Sequence, residues 1–173
     1  ESIKPLGKRI GYFNYSIGSR RTQTLTAEFD TKVLPTASPG DIIVFWEITN
    51  NAHDLVDDTE GTALFANVVA YCDQVRNHDL ICVCLTGIAR DMPSFDDANI
   101  TDRIIACNNL MRADPSSFCD LLVDVGALTQ FDAKADTTNT TYYNSDRTHL
   151  TNTGYDLIAT TVFNTMNGAG LFD

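Results

Sequence analysis

The sequence is short of positive charge and has no long apolar run. Its 173 residues carry 12 Lys and Arg against 23 Asp and Glu, a formal net charge of −11, and only 3 His. Such a chain repels phosphate groups at long range, which argues against a nucleic-acid platform or a binder of anionic membranes. No apolar stretch approaches the roughly 18 residues that a membrane-spanning helix needs. There is no CxxC pair with zinc spacing. The five cysteines, Cys72, Cys82, Cys84, Cys107 and Cys119, are odd in number, and Cys82 and Cys84 lie inside an apolar run. That pattern fits buried free thiols better than a disulfide framework. No linker and no low-complexity tract divides the chain. No leader peptide is recognisable behind Glu1, which leaves export open.

What is present suits one domain with a single core. Hydrophobic residues make up 43% of the chain, and a domain of this length buries roughly two-thirds of its unfolded surface. Residues 9–14 (RIGYFN) predict a short strand. Residues 24–34 predict a helix, ended by Pro35 and the turn cluster Ser38-Pro39-Gly40. Residues 42–46 (IIVFW) are a continuous apolar run, as expected of a strand covered on both faces. Leu64, Val68, Tyr71, Cys72 and Val75 then fall on one helical face, behind the acidic group Asp57, Asp58 and Glu60, which suits a helix N-terminus. The unit repeats. Residues 80–85 (LICVCL) predict a second strand, and Ile100, Ile104, Cys107 and Met111 a helix closed by Asp114-Pro115. Leu121-Leu122-Val123 predict a third strand. After a polar loop over 130–145, whose stretch 137–143 (TTNTTYY) reads as a solvated loop rather than a substrate contact, Tyr155, Ile158, Ala159, Val162, Phe163 and Met166 predict a final amphipathic helix. Strands alternating with helices imply a parallel sheet with helices on both faces, in one α/β domain.

Ligands of such sheets bind beyond the carboxyl ends of the strands, and three loops there carry chemistry. They are residues 14–20 (NYSIGSR), 47–54 (EITNNAHD) and 145–151 (SDRTHLT). In the last, Asp146 precedes His149 by three residues. A carboxylate so placed can reach the imidazole Nδ1, fix the tautomer and leave Nε2 to accept a proton; the alternative is a helix cap beside an exposed histidine. Asn50 can donate an amide N–H to a developing oxyanion, and Gly18 a backbone N–H to the same charge. Asn50 and Asn51 can equally be turn residues that satisfy local backbone groups. Asp124, ending the third strand, is read as a support for the site or a turn former. His53 and His78 carry less, His78 because it follows a helix.

The segment SDRTHLTNTGYDLIA (145–159) resembles the last block of the SGNH, or GDSL, hydrolases, an Asp-x-x-His followed by a helix. NYSIGSRRTQTL (14–25) resembles the block with that family's oxyanion-hole glycine, and GDIIVFWEITNN (40–51) is similar to the block ending Gly-x-Asn-Asp. The blocks occur in the family's order, and the resemblance covers nearly the whole chain. It implies a flavodoxin-like three-layer α/β/α sandwich with a parallel sheet, with Asp146 as orienting acid, His149 as general base, and Gly18 and Asn50 as oxyanion donors. A one-residue shift would make Ser19 the donor in place of Gly18. Ile48 stands where the family usually has glycine, and Asn51 where it has aspartate.

The larger departure is the nucleophile. The family's Gly-Asp-Ser block, after its first and central strand, is absent. Pro39-Gly40-Asp41-Ile42 has no serine, and Ser16 (Phe-Asn-Tyr-Ser) only echoes the block. Without a central first strand, residues 9–14 would lack a partner on their inner side. The expectation is therefore a single domain over residues 1–173 that begins one strand late, with the serine on a companion N-terminal segment outside this chain. The activity implied is hydrolysis of small acyl esters or O-acetylated carbohydrate, with no metal and no cofactor. The resemblance also leans towards a secreted protein. The alternative is an SGNH-like module without catalysis, which binds carbohydrate or protein.

Overall fold

The protein is described by a computed structural model that covers residues 13–14, 18–91 and 99–172. Three parallel strands form its sheet in the order β1 (Ile42–Phe45), β2 (Ile81–Leu85), β3 (Leu121–Val123). The register sets Ile42 against Ile81 and Val83 against Leu121. Parallel neighbours need a crossover, and helices supply each one. Between β1 and β2 run α2 (Thr49–Asp54) and α3 (Thr62–Arg76); between β2 and β3 runs α4 (Ile100–Ala113). Helix α1 (Thr22–Lys32) precedes the sheet and α5 (Asn152–Gly168) follows it.

Strand alternation divides the core. Cys82 and Cys84 face one side, with Phe29 of α1, Leu64, Val68 and Cys72 of α3, and Ile104, Cys107 and Met111 of α4. Val83, Leu85 and Val123 face the other, with Phe131, Tyr143, and Ile158 and Met166 of α5. The result is the α/β/α layering expected from the alternation of elements. Both helical stripes named from the sequence, Leu64 to Val75 and Ile100 to Met111, are buried throughout. Asp58 caps α3 by accepting the Leu64 N–H at 2.8 Å. All five cysteines are buried and unpaired, and burial pushes the Cys107 and Cys119 thiols up to about 12.

Four expectations need correction. First, α1 begins at Thr22 rather than residue 24, because the side chain of Asn51, far along the chain, accepts the Thr22 N–H at 2.8 Å. Second, the strand at 42–46 is not covered on both faces. It stops at Phe45, and Val44 is 49% exposed on the outermost strand among the described residues. Third, α5 turns inward only Ile158, Val162 and Met166 of the stripe named for it. Gly154, Ile158 and Met166 are buried, whereas Tyr155, Ala159 and Phe163 are exposed and Phe163 stacks on Phe172 at 5.6 Å. Fourth, the polar loop over 130–145, exposed along most of its length, is anchored in the core at Phe131, Thr137 and Tyr143. Phe131 and Tyr143 are fully buried, and the Tyr143 hydroxyl donates to the Ala89 carbonyl at 2.9 Å. The expected strand over residues 9–14 lies outside the described residues apart from Phe13 and Asn14, which belong to no regular element.

Polar clamps hold the loops at the strand ends. Asn108 of α4 is buried, accepts the Gly87 N–H at 2.8 Å and donates to the Gly87 carbonyl at 2.7 Å. Asp124 takes a two-pronged bond from Arg112, each arm 2.8 Å, and accepts from the Thr86 hydroxyl at 2.9 Å. It thus ties the end of β3 to α4 and to the end of β2. Replacing Asn108 by alanine strands both polar groups of Gly87 in the interior. We expect a loss of about 3 kcal/mol in urea-unfolding free energy; a loss under about 1 kcal/mol would show that water replaces the amide.

Candidate active site

The Asp146–His149 pair is built within one turn. Asp146 Oδ1 accepts the backbone N–H groups of Thr148 and His149, both at 2.9 Å, and Oδ2 lies 2.7 Å from His149 Nδ1. Arg147 reverses the chain between them at a φ of 58°. A carboxylate anchored on two amides is not free to turn away, so the ring is held with Nδ1 as the donor. Desolvation pushes the Asp146 carboxyl up, but the bonds from the His149 ring and from the two backbone amides outweigh it and hold it at about 2. His149 is 70% exposed, and among the described residues nothing bonds to Nε2. The turn is seated on the segment that follows β2. Thr148 Oγ1 donates to the Asp91 carbonyl at 3.0 Å, Asp91 N–H donates to the Arg147 carbonyl at 3.1 Å, and Arg147 and Lys134 both pair with the Asp91 carboxylate.

The second group of predicted residues sits where β1 runs into α2. Asn50 Nδ2 donates to the Arg20 carbonyl at 2.9 Å and to Glu47 Oε2 at 3.3 Å. The bond to Arg20 ties Asn50 to the residue that follows the Gly18–Ser19 turn. Asn51 is buried and takes a structural part: besides capping α1, its Nδ2 donates to Gln23 at 3.0 Å. Gly18 is exposed, and among the described residues nothing lies within 4 Å of where a Cβ would stand, so no contact described there demands glycine. Ser19, not Gly18, takes the left-handed conformation, at a φ of 61°. Ser16 lies outside the described residues.

Two residues that join these groups were not singled out from the sequence. Glu47, at the end of β1, accepts the backbone N–H of Asn50 at 2.9 Å and of Asn51 at 3.4 Å through Oε1. Burial pushes its carboxyl up to about 7, against the opposing pull of the Asn50 and Asn51 amides and of Arg90. Arg90, half-buried, donates from Nε to Thr49 Oγ1 at 3.3 Å and lies in the field of both Glu47 and Asp146. Glu47 had a readable signal, a carboxylate closing an apolar strand three residues before Asn50. Arg90 had none, since its partners lie far away along the chain.

No protein-family model and no curated protein sequence matches this chain. Among solved structures, it is similar to a candidate acylhydrolase from Bacteroides fragilis NCTC 9343, with a TM-score of 0.59 and 16% identity, over 88% of this chain and 72% of that one. The fold is acylhydrolase-like. At that identity the likeness speaks for architecture alone, and the residues above carry any statement about chemistry. Two clefts of about 310 and 370 Å³ flank α2, lined by Arg21, Asn51 and Asp54 and by Leu55, Asp57 and Asp58 among others; His149 lines neither. Among the described residues, no helix is long and apolar enough to cross a membrane, and no group of His, Cys, Asp and Glu has the arrangement of a metal site.

Proposed function

We propose that this protein hydrolyses carboxylic esters as an SGNH-type serine hydrolase, with small acyl esters, including O-acetyl groups on carbohydrate, as substrates. One observation carries the reading: a histidine whose Nδ1 is bonded to an anchored carboxylate and whose Nε2 is open to solvent. A module that only binds gains nothing from a base held in one tautomer. In the proposed mechanism His149 Nε2 takes the proton of a serine hydroxyl as its oxygen attacks the ester carbonyl. The tetrahedral oxyanion is received by the Asn50 amide and by a backbone N–H of the 18–19 turn. The C–O bond to the alcohol then breaks, and the alcohol leaves with the proton from His149. Water, deprotonated by the same nitrogen, releases the acid and restores the serine. The net charge of −11 disfavours anionic polymers and leaves neutral esters unopposed.

The identity of the serine is the point to test. Labelling with a fluorophosphonate probe, followed by peptide mass spectrometry, is expected to mark one serine, with hydrolysis of p-nitrophenyl acetate lost in step. Ser16 of this chain and a serine on a companion segment are the two sources to distinguish. No label and no hydrolysis would reject the reading in favour of a carbohydrate- or protein-binding module.

A further inference from the structure

We propose that Glu47 is a positioning residue for the ester hydrolysis inferred above: its carboxylate holds the Asn50 amide proton that the oxyanion has to take over. A side-chain amide has two N–H groups, and both of those on Asn50 are engaged, one by the Arg20 carbonyl at 2.9 Å and one by Glu47 Oε2 at 3.3 Å. Asn50 can therefore donate to an oxyanion only by giving one of them up. The bond to Glu47 is the longer, and its acceptor is a side chain rather than fixed backbone, so that is the bond that yields. Glu47 is itself anchored through Oε1 on the Asn50 and Asn51 N–H groups.

The strength of this competition depends on the charge of Glu47, because an ionised carboxylate accepts from an amide about twice as strongly as a neutral group. The surroundings leave that charge lightly balanced. Among the described residues, Arg90 is the cation that acts on it, and Arg90 also lies in the field of Asp146. Of the two arginines on the neighbouring turn, Arg20 pairs with Glu28 and Arg21 with Asp54. Burial has already pushed Glu47 up to about 7. Deprotonated, above that pH, it retains the amide; protonated, below it, it lets the amide go.

The test is the side-chain NH2 signal of Asn50 in 15N-correlated NMR spectra from pH 5.5 to 8.5, assigned by its loss in Asn50→Asp. In the wild type the pair of signals is expected to move with a single midpoint near 7, and in Glu47→Gln to stay still. Signals that do not move in the wild type, or that titrate equally in Glu47→Gln, would overturn the proposal. Should Glu47→Gln fail to fold, Glu47→Ala takes its place, and signals that titrate there as in the wild type would equally overturn the proposal. This readout needs no turnover, so an inactive protein would reject the ester-hydrolase reading and leave the Glu47–Asn50 coupling to be judged separately. With an ester substrate at pH 8, Glu47→Gln is expected to raise kcat roughly fivefold, the weight of one hydrogen bond, with KM unchanged. A fall in kcat, or a change in KM alone, would reject the competition.

Discussion

Replacing His149 by alanine is expected to lower kcat/KM for a p-nitrophenyl ester by about 1,000-fold or more, with the melting temperature unchanged. The size follows from removing the group that moves the proton in both half-reactions, leaving only the binding and oxyanion contributions. The unchanged stability follows from position: the ring is 70% exposed and its only described side-chain partner is Asp146. Asp146→Asn is the companion test. Asparagine can still accept from the Thr148 and His149 amides and so keep the turn. It offers an N–H opposite Nδ1, however, which forces the wrong tautomer, and a loss of roughly 100-fold is expected. The pH dependence has a definite sign. With its pKa depressed to about 2 from the usual 3.8, Asp146 is ionised throughout the range above about pH 4. Its contribution to stability is complete above 3.8 and is lost as the pH falls towards 2. Acid inactivation above pH 5 therefore does not arise from this carboxylate. If His149→Ala kept more than a tenth of the activity, the base would lie elsewhere.

Gly61→Ala is expected to be the most damaging single substitution to the fold, costing more than about 4 kcal/mol or abolishing soluble protein. Gly61 stands just ahead of α3 with a φ of 68°, a conformation that a Cβ disfavours by about 1 kcal/mol or more. Space is the greater cost. A Cβ there would overlap the backbone nitrogen of Cys107 and come within 2.8 Å of the Cys107 Cα and the Ala106 carbonyl carbon, all in the middle of α4. No rotamer change relieves a clash with helix backbone, so α3 and α4 would have to separate. They carry Leu64, Val68, Cys72, Ile104, Cys107 and Met111 of one core layer, and separation opens cavities along that layer. Thermal unfolding, or the soluble fraction where the variant does not fold, measures the loss. A variant within about 1 kcal/mol of wild type would mean that the two helices can shift apart at little cost.

The elements that were legible in the sequence are those whose residues answer to a local period. The stripe Leu64, Val68, Tyr71, Cys72, Val75 is buried because a 3.6-residue turn puts those positions on one side, whatever lies opposite. The runs at 80–85 and 121–123 read as strands covered on both faces, and they supply β2, from Ile81, and β3 with side chains in both core layers. In α5 the period placed Ile158 and Met166 but not Tyr155 and Phe163, large rings that stand on the neighbouring positions; which of them faces the sheet depends on where β3 lies. Residues 130–145 are polar by composition and mostly exposed; composition did not show that Phe131, Thr137 and Tyr143 are buried, with the Tyr143 hydroxyl bonded to the segment after β2.

The candidate site divides in the same way. Asp146 and His149 are three residues apart, and the bond between them needs only the turn that joins them, so the sequence by itself determined that pair. The placing of Asn50 was decided by tertiary structure alone. Its amide meets a carbonyl 30 residues earlier, Thr49 meets Arg90 41 residues later, and the histidine turn rests on Asp91 57 residues before Thr148. Those contacts exist because parallel register brings the strand ends to one edge of the sheet, where loops distant in sequence share a few ångströms. A one-dimensional pattern names donors and acceptors. Which donor is already spent, as the Asn50 amide is on Glu47 and Arg20, is settled only when the partners arrive.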